Sequence, residues 1–215
     1  MQSQLERIET NEGLLGGALA IALHAAPDLE PERVEIELDR ISETIRGRLH
    51  GEDPRAIVAH AHALLFDEMG FRGAGDDYYD PRNSHLPEVL ARRRGLPITL
   101  ALVYKLVVEP LGPRVRGVSA PGHFLARVEG GRGFTPMLVD VFAGGRVLSV
   151  PEAVARVREV TGDAFPIDAE HLPLATHREW LQRMLRNLIG VYHVRGLQDD
   201  RAAMEELSRL LGGAA

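Results

Sequence analysis

The chain contains no cysteine. Its 215 residues can form no disulfide, no thiolate-ligated zinc or iron–sulfur site and no thiol nucleophile. Lysine is almost as scarce: Lys105 stands alone among 25 basic residues and the other 24 are arginine, which we read as general surface charge rather than recruitment for binding. No apolar run reaches the roughly 20 residues that cross a bilayer. The first segment, with Gln2, Glu6, Glu9 and Glu12, is polar and acidic and lacks the basic region of a leader. These features predict a cytoplasmic protein without membrane contact. Acidic residues outnumber basic ones 31 to 25, a formal charge of −6, so no nucleic-acid partner is expected either. What remains is ordinary globular composition, 45% hydrophobic and 26% charged, in a chain long enough to bury a core without staples.

Helices come first, then a small sheet, then helices again. Gly13 to His24 is an apolar, small-residue stretch that reads as a short buried helix. Glu32 to His50 carries apolar residues at Val34, Ile36, Leu38, Ile41, Ile45 and Leu49, the later ones at helical spacing. Asp53-Pro54 predicts the cap of a third helix over Arg55 to Met69, because Asp accepts from first-turn amides and Pro suits the first helical position. Ser84 is the expected cap of a fourth helix running through Arg94. Pro97 to Val108 is apolar on every side except at Lys105, the pattern of a helix in the middle of a core. Val115 to Ser119, His123 to Val128 and Met137 to Val141 are short segments divided by Pro-Gly and Gly-Gly, which predicts antiparallel strands. Val150 to Val160 reads as a helix, Asp168 to Leu174 as a linker, and Arg178 to Leu211 as an antiparallel helix pair broken at Arg195-Gly196. This segregation predicts an α+β fold, with a core over 1–175 and a helix pair over 176–215.

Chemistry can gather at few places. The start of the apolar helix, Gly95 to Thr99, offers free amides and a positive dipole end. His123 follows a Pro-Gly turn at a strand start, and Asp140 ends an apolar strand; a buried carboxylate needs a partner, and a histidine on the neighbouring strand is a natural one. The loop from Phe71 to Ser84 is too rich in glycine and charge for a regular element. In it Asp80 and Asn83 suit turns, whereas Tyr78, Tyr79 and Arg82 supply the contact area that peptide recognition uses; Tyr78, Tyr79, Arg82 and Asn83 are the candidate ligand-cleft residues. His60 and His62, two apart on a helix, point to opposite sides and cannot share an ion, while His85, His171, His177 and His193 lack a second ligand at useful spacing. No metal and no cofactor is expected.

The run Asp76-Asp77-Tyr78-Tyr79-Asp80-Pro81-Arg82-Asn83-Ser84, with Gly95-Leu96-Pro97-Ile98-Thr99-Leu100, Pro121-Gly122-His123-Phe124-Leu125 and Asp140-Val141-Phe142-Ala143-Gly144-Gly145, resembles the bacterial SirB-type transglutaminase-like family from about Leu14 to Leu211. A similar core occurs in an F-box protein. The resemblance implies a papain/transglutaminase-like core: a helical N-terminal half, a central buried helix, a small antiparallel sheet and a C-terminal helix pair resembling a single tetratricopeptide-type repeat. In catalytic transglutaminase-like proteins a Gly-x-Cys opens the central helix, followed by Ala four residues on and Gly fifteen on. Setting that Cys at Pro97 puts Ala101 and Gly112 in place, so proline stands where the nucleophile would be. His123 and Asp140 fall on the base and the orienting acid.

The resemblance thus implies a non-catalytic domain, a peptide- or protein-binding or regulatory module in which His123 and Asp140 are vestigial. The alternative is a hydrolase or acyltransferase using the Thr99 hydroxyl or a water activated by His123. Thr99 lies about 200° around the helix from Pro97, so its hydroxyl is expected to bond back to the preceding turn or to cap the helix. One repeat is short of the three or so that stack stably. The helix pair is therefore expected to pack on the core or on a second copy of the chain, as a homo-oligomer.

Overall fold

Thr10 opens the first helix by accepting the Gly13 amide at 3.0 Å. In the computed structural model, which describes residues 7–161 and 172–212, that helix, α1, spans Asn11–Leu23. The next, α2 (Pro31–Arg46), buries Val34, Leu38, Ile41 and Ile45 and stops at Gly47 rather than continuing to His50. After it the Arg48 amide takes the Ile45 carbonyl, tightening the chain out of the α-helical ladder. Asp53 caps α3 (Pro54–His62) by accepting the Arg55 amide at 3.0 Å. The expected continuation to Met69 is not α-helical: Ala63–Glu68 forms a π-helical turn in which the Met69 amide reaches back five residues to Leu64. His62 sits at its start, half-buried, with Nε2 3.0 Å from the Tyr104 hydroxyl.

The fourth helix departs further from expectation. α4 covers only Leu86–Arg92; His85 occupies its cap position and the Ser84 hydroxyl caps nothing. Arg93 ends it in the left-handed region at φ 57°. The residues behind it form β2 (Arg94–Gly95), which pairs in parallel with β1 (Arg72–Gly73), so both flanks of the Asp76–Ser84 loop are tied together.

The central helix α5 (Pro97–Val108) is buried at every residue. Even Lys105 is enclosed, its Nζ donating to the Val115 carbonyl at 2.8 Å and pairing with Glu109 one turn on. A five-stranded antiparallel sheet lies against α5: β3 (Arg114–Ala120), β4 (His123–Glu129), β5 (Met137–Asp140), β6 (Arg146–Leu148) and β7 (Leu174–Ala175), in the order β6-β5-β4-β3-β7. Strand alternation sorts its faces. Phe124, Ala126, Val128 and Val139 join the main core with α5, whereas Leu125, Leu138 and Leu148 meet Ala153 of α6 (Val150–Thr161). The expected linker over Asp168 to Leu174 lies outside the described residues up to 171, and Leu174 belongs to β7 rather than to a linker, pairing with Val118 at the sheet edge.

A capping box, Thr176 with Glu179, opens α7 (His177–Arg195), and Gly196 in the left-handed region closes it before α8 (Gln198–Gly212). The buried stripe of α7, Trp180, Leu181, Met184, Leu185, Leu188 and Tyr192, belongs to the same core as α5. The Trp180 ring lies tilted against Phe124, 4.7 Å between centroids, and Gly117 makes room: a Cβ there would sit 2.5 Å from Phe124 and 2.7 Å from the indole. Among the described residues no helix is long and apolar enough to cross a membrane.

Candidate functional site

The antiparallel register that sets Ala126 opposite Val139 brings the first residue of β4 beside the last of β5. His123 Nε2 and Asp140 Oδ2 are 3.0 Å apart, and both side chains are almost fully enclosed. The other carboxylate oxygen accepts the Phe142 and Ala143 amides at 3.1 Å each, so Asp140 also folds the turn that follows its strand. Arg156 of α6 approaches Oδ2 at 3.5 Å. Burial by itself would raise the Asp140 pKa; the hydrogen bond and charge of His123, the Ala143 amide and Arg156 outweigh it and hold the carboxyl below the usual carboxylate range.

Aromatic rings connect this pair to the Asp76–Ser84 loop. Phe142 stands nearly perpendicular to the His123 ring at 6.4 Å, and Tyr78 meets Phe142 at the same distance. The Phe142 ring lies over Gly73, where a Cβ would be 2.5 Å away, and its carbonyl accepts the Gly73 amide. Through β1 and β2 that contact reaches the start of α5. The four candidate cleft residues divide. Tyr78 and Tyr79 are exposed and lie 5.6 Å from each other, and Tyr79 offers its carbonyl to Arg195. Arg82 faces solvent while pairing with the buried Asp80 at 2.7 Å. Asn83 is fully enclosed: its amide donates to the Asp77 carbonyl at 2.6 Å and its own carbonyl accepts the Leu96 amide, so its contacts hold the loop to the helix.

At that helix start Pro97 occupies the first turn, with no side-chain cap from Leu96. Trp180 of α7 donates to the Ile98 carbonyl at 3.2 Å, which pins the turn from the other side. Thr99 is completely buried, yet its hydroxyl bonds to nothing among the described residues; it neither bonds back nor caps. The reason is local. The Leu96 carbonyl already takes the Thr99 and Leu100 amides, and the Gly95 carbonyl takes Ala74. Elsewhere, among the described residues, no three His, Asp or Glu side chains converge as a metal set would; His171 lies outside them. A cavity of about 800 Å³ opens at the far end of β4, lined among others by Arg55, Arg132 and Phe134, away from the histidine.

Sequence reasoning missed two residues that shape the site, Arg156 and Arg183. Arg183 donates through Nη1 to Ser119 Oγ at 2.7 Å and through Nη2 to the His123 carbonyl at 3.1 Å. The helical period around Trp180, Met184 and Leu188 marks the apolar stripe of α7, but which flanking arginine meets β4 follows only from how the helix docks.

A profile of the transglutaminase-like superfamily matches residues 32–186. A UPF0162 protein of Xylella fastidiosa strain 9a5c is 39% identical over 183 residues, covering 83% of this chain and 64% of its own length. A UPF0162 protein of Pseudomonas aeruginosa is 32% identical over 200 residues, 92% of this chain and 71% of that one. Human F-box only protein 21 is 25% identical over 221 residues, 89% of this chain but 34% of the human protein. The chain thus spans just under two thirds of the Xylella relative. No solved structure gives a significant match.

Proposed function

Because the chain belongs to the transglutaminase-like superfamily and holds no thiol with which to form an acyl-enzyme, we propose that it is a non-catalytic, SirB-type member that binds a peptide or protein segment beside the His123–Asp140 pair. One observation carries this reading: Pro97, which has no nucleophilic atom, opens the buried helix at the position where catalytic relatives would place cysteine. The pair itself has a structural role, since Asp140 orders the turn through two backbone amides. Exposed Tyr78 and Tyr79 supply the aromatic contact surface next to it. In this reading the protein works in the cytoplasm. The C-terminal helix pair exposes Val194 and Leu197 at its turn, and in this reading that apolar end serves self-association.

The competing reading, hydrolysis or acyl transfer through Thr99 or through water, has the unpartnered Thr99 hydroxyl in its favour and the complete burial of that residue against it. Incubating the purified protein with a glutamine-containing peptide library and a primary amine, and following the products by mass spectrometry, separates the two. We expect retained binding of library members and no turnover. Turnover that disappears in His123→Ala would overturn the proposal, and its loss in Thr99→Val as well would assign the chemistry to the hydroxyl.

A further inference from the structure

Arg183 is mostly buried on α7, and its polar contacts are all uncharged. Nη1 bonds the Ser119 hydroxyl, Nη2 bonds the His123 carbonyl, and the guanidinium carbon lies 5.5 Å from the Phe124 ring centroid. These contacts fix the plane of the guanidinium at the strand start that carries the histidine of the buried pair. Among the described residues no carboxylate lies within ion-pair distance of it, whereas Arg82, Arg92, Arg93, Arg156, Arg195 and Arg201 each have one. A guanidinium carries five N–H donors, of which these contacts use two. Burial lowers the Arg183 pKa, the charge of Arg186 one turn on adds to that, and Tyr78 counters it. Burial raises the Tyr78 hydroxyl, and Arg183 pulls it back. The exposed Tyr78 ring reaches the same corner through Phe142, which it meets at 6.4 Å and which meets the His123 ring at 6.4 Å, while the exposed Arg186 adds positive charge and has no acidic partner among the described residues.

A cation held this way, oriented and largely desolvated and with no counter-ion among the described residues, is costly to bury and ready to accept one. We propose that Arg183 anchors a carboxylate of the bound peptide, gripping it with its free N–H donors while Tyr78 forms the wall of the site. The proposal rests on the peptide-binding reading above and names the chemistry recognised there. The carboxylate comes either from an acidic side chain or from a peptide C-terminus.

Three pools of heptapeptides carrying an uncharged dye, randomised over uncharged residues, test it by fluorescence anisotropy. One pool has a central Gln and an amidated end, the second a central Glu and an amidated end, the third a central Gln and a free C-terminal carboxylate. The wild-type protein should bind the second or the third at least about tenfold more tightly than the first. Whichever pool wins identifies the source. Arg183→Gln, checked for folding by circular dichroism, should remove that preference, and Arg183→Lys, which keeps the charge without the two-pronged fork, should keep only part of it. Equal binding of all three pools by wild type, or a preference that survives in folded Arg183→Gln, would overturn the carboxylate anchor while leaving peptide binding standing. Binding of no pool would remove the peptide-binding reading and the anchor with it. The wild-type comparison needs no variant, so a misfolded substitution does not suspend the result.

Discussion

Two groups of buried polar side chains lie around the start of α5, and they are built in opposite ways. In the His123–Asp140 pair both carboxylate oxygens are occupied, one by the imidazole and the other by two backbone amides. In the group Ser84, His85 and Thr99, equally buried, the Ser84 hydroxyl, His85 Nδ1 and the Thr99 hydroxyl bond to nothing among the described residues; only His85 Nε2 has a partner, the Tyr192 hydroxyl at 3.3 Å. The difference teaches what keeps each in place. Asp140 is woven into the backbone of its turn and serves the fold whatever chemistry takes place beside it. The orphaned groups weaken the fold, at about 1–3 kcal/mol for each unmet buried donor or acceptor, and persist because the apolar packing around α5 outweighs them.

The largest effect should come from breaking the satisfied pair. Asp140→Ala leaves the Phe142 and Ala143 amides and His123 without their acceptor, and should lower unfolding free energy by about 3–5 kcal/mol in chemical denaturation at pH 7. A loss below about 1 kcal/mol would erase the distinction between the two groups.

Acid should strike the two groups in different windows. Burial, with the nearby His24, lowers His85 from 6.5 to about 4, so between those values the unfolded chain holds a proton that the folded chain refuses. Stability therefore falls as pH drops from about 6.5 to about 4, by up to about 3 kcal/mol for this residue. His62, lowered to about 4 by burial, adds to the same limb. Asp140 is shifted the other way relative to its charged form: its contribution is fully present above the ordinary carboxylate value and is lost only as pH falls through its lower folded-state value. Denaturation series across pH should show the first limb flattened in His85→Gln and unchanged in Asp140→Asn.

The smallest effect has the opposite sign. Thr99→Val removes an unmet hydroxyl at nearly constant shape and should raise stability by about 1 kcal/mol, and Ser84→Ala should act similarly. A clear destabilisation in thermal melts would mean that these hydroxyls are bonded in solution, making the two groups alike.

Much of the architecture could be read from residue patterns because it rests on local rules. Asp53-Pro54 opens α3, the all-apolar run from Pro97 is the buried helix, and Pro-Gly and Gly-Gly turns separate strands that do pair. Where reading failed, a longer-range contact had decided. Ser84 has the chemistry of a cap, but the chain enters α4 from Asn83, whose carbonyl is tied to Leu96, and the cap position falls one residue later. The short strands β1, β2 and β7 carry no periodic signal, because two residues are too few to show one; each exists through its partner. At the site, His123 and Asp140 were legible as strand residues next to turns, and the structure sets them 3.0 Å apart. Asn83 stood out as a polar loop residue, but only its surroundings show it enclosed and bonded to backbone on two sides.

The sequence by itself determined what chemistry is excluded: with no cysteine anywhere and proline at the opening of the buried helix, no thiol can serve the His123–Asp140 pair, whatever the fold. Tertiary structure alone decided which groups lie beside that pair. Trp180 and Arg183 sit more than 55 residues further along the chain than His123, and they reach Ile98, Ser119 and the His123 carbonyl only because the apolar stripe of α7 is buried in the same core as α5. Composition limits reactivity residue by residue. Proximity is settled by how apolar faces dock, and that depends on all of the packed surfaces together.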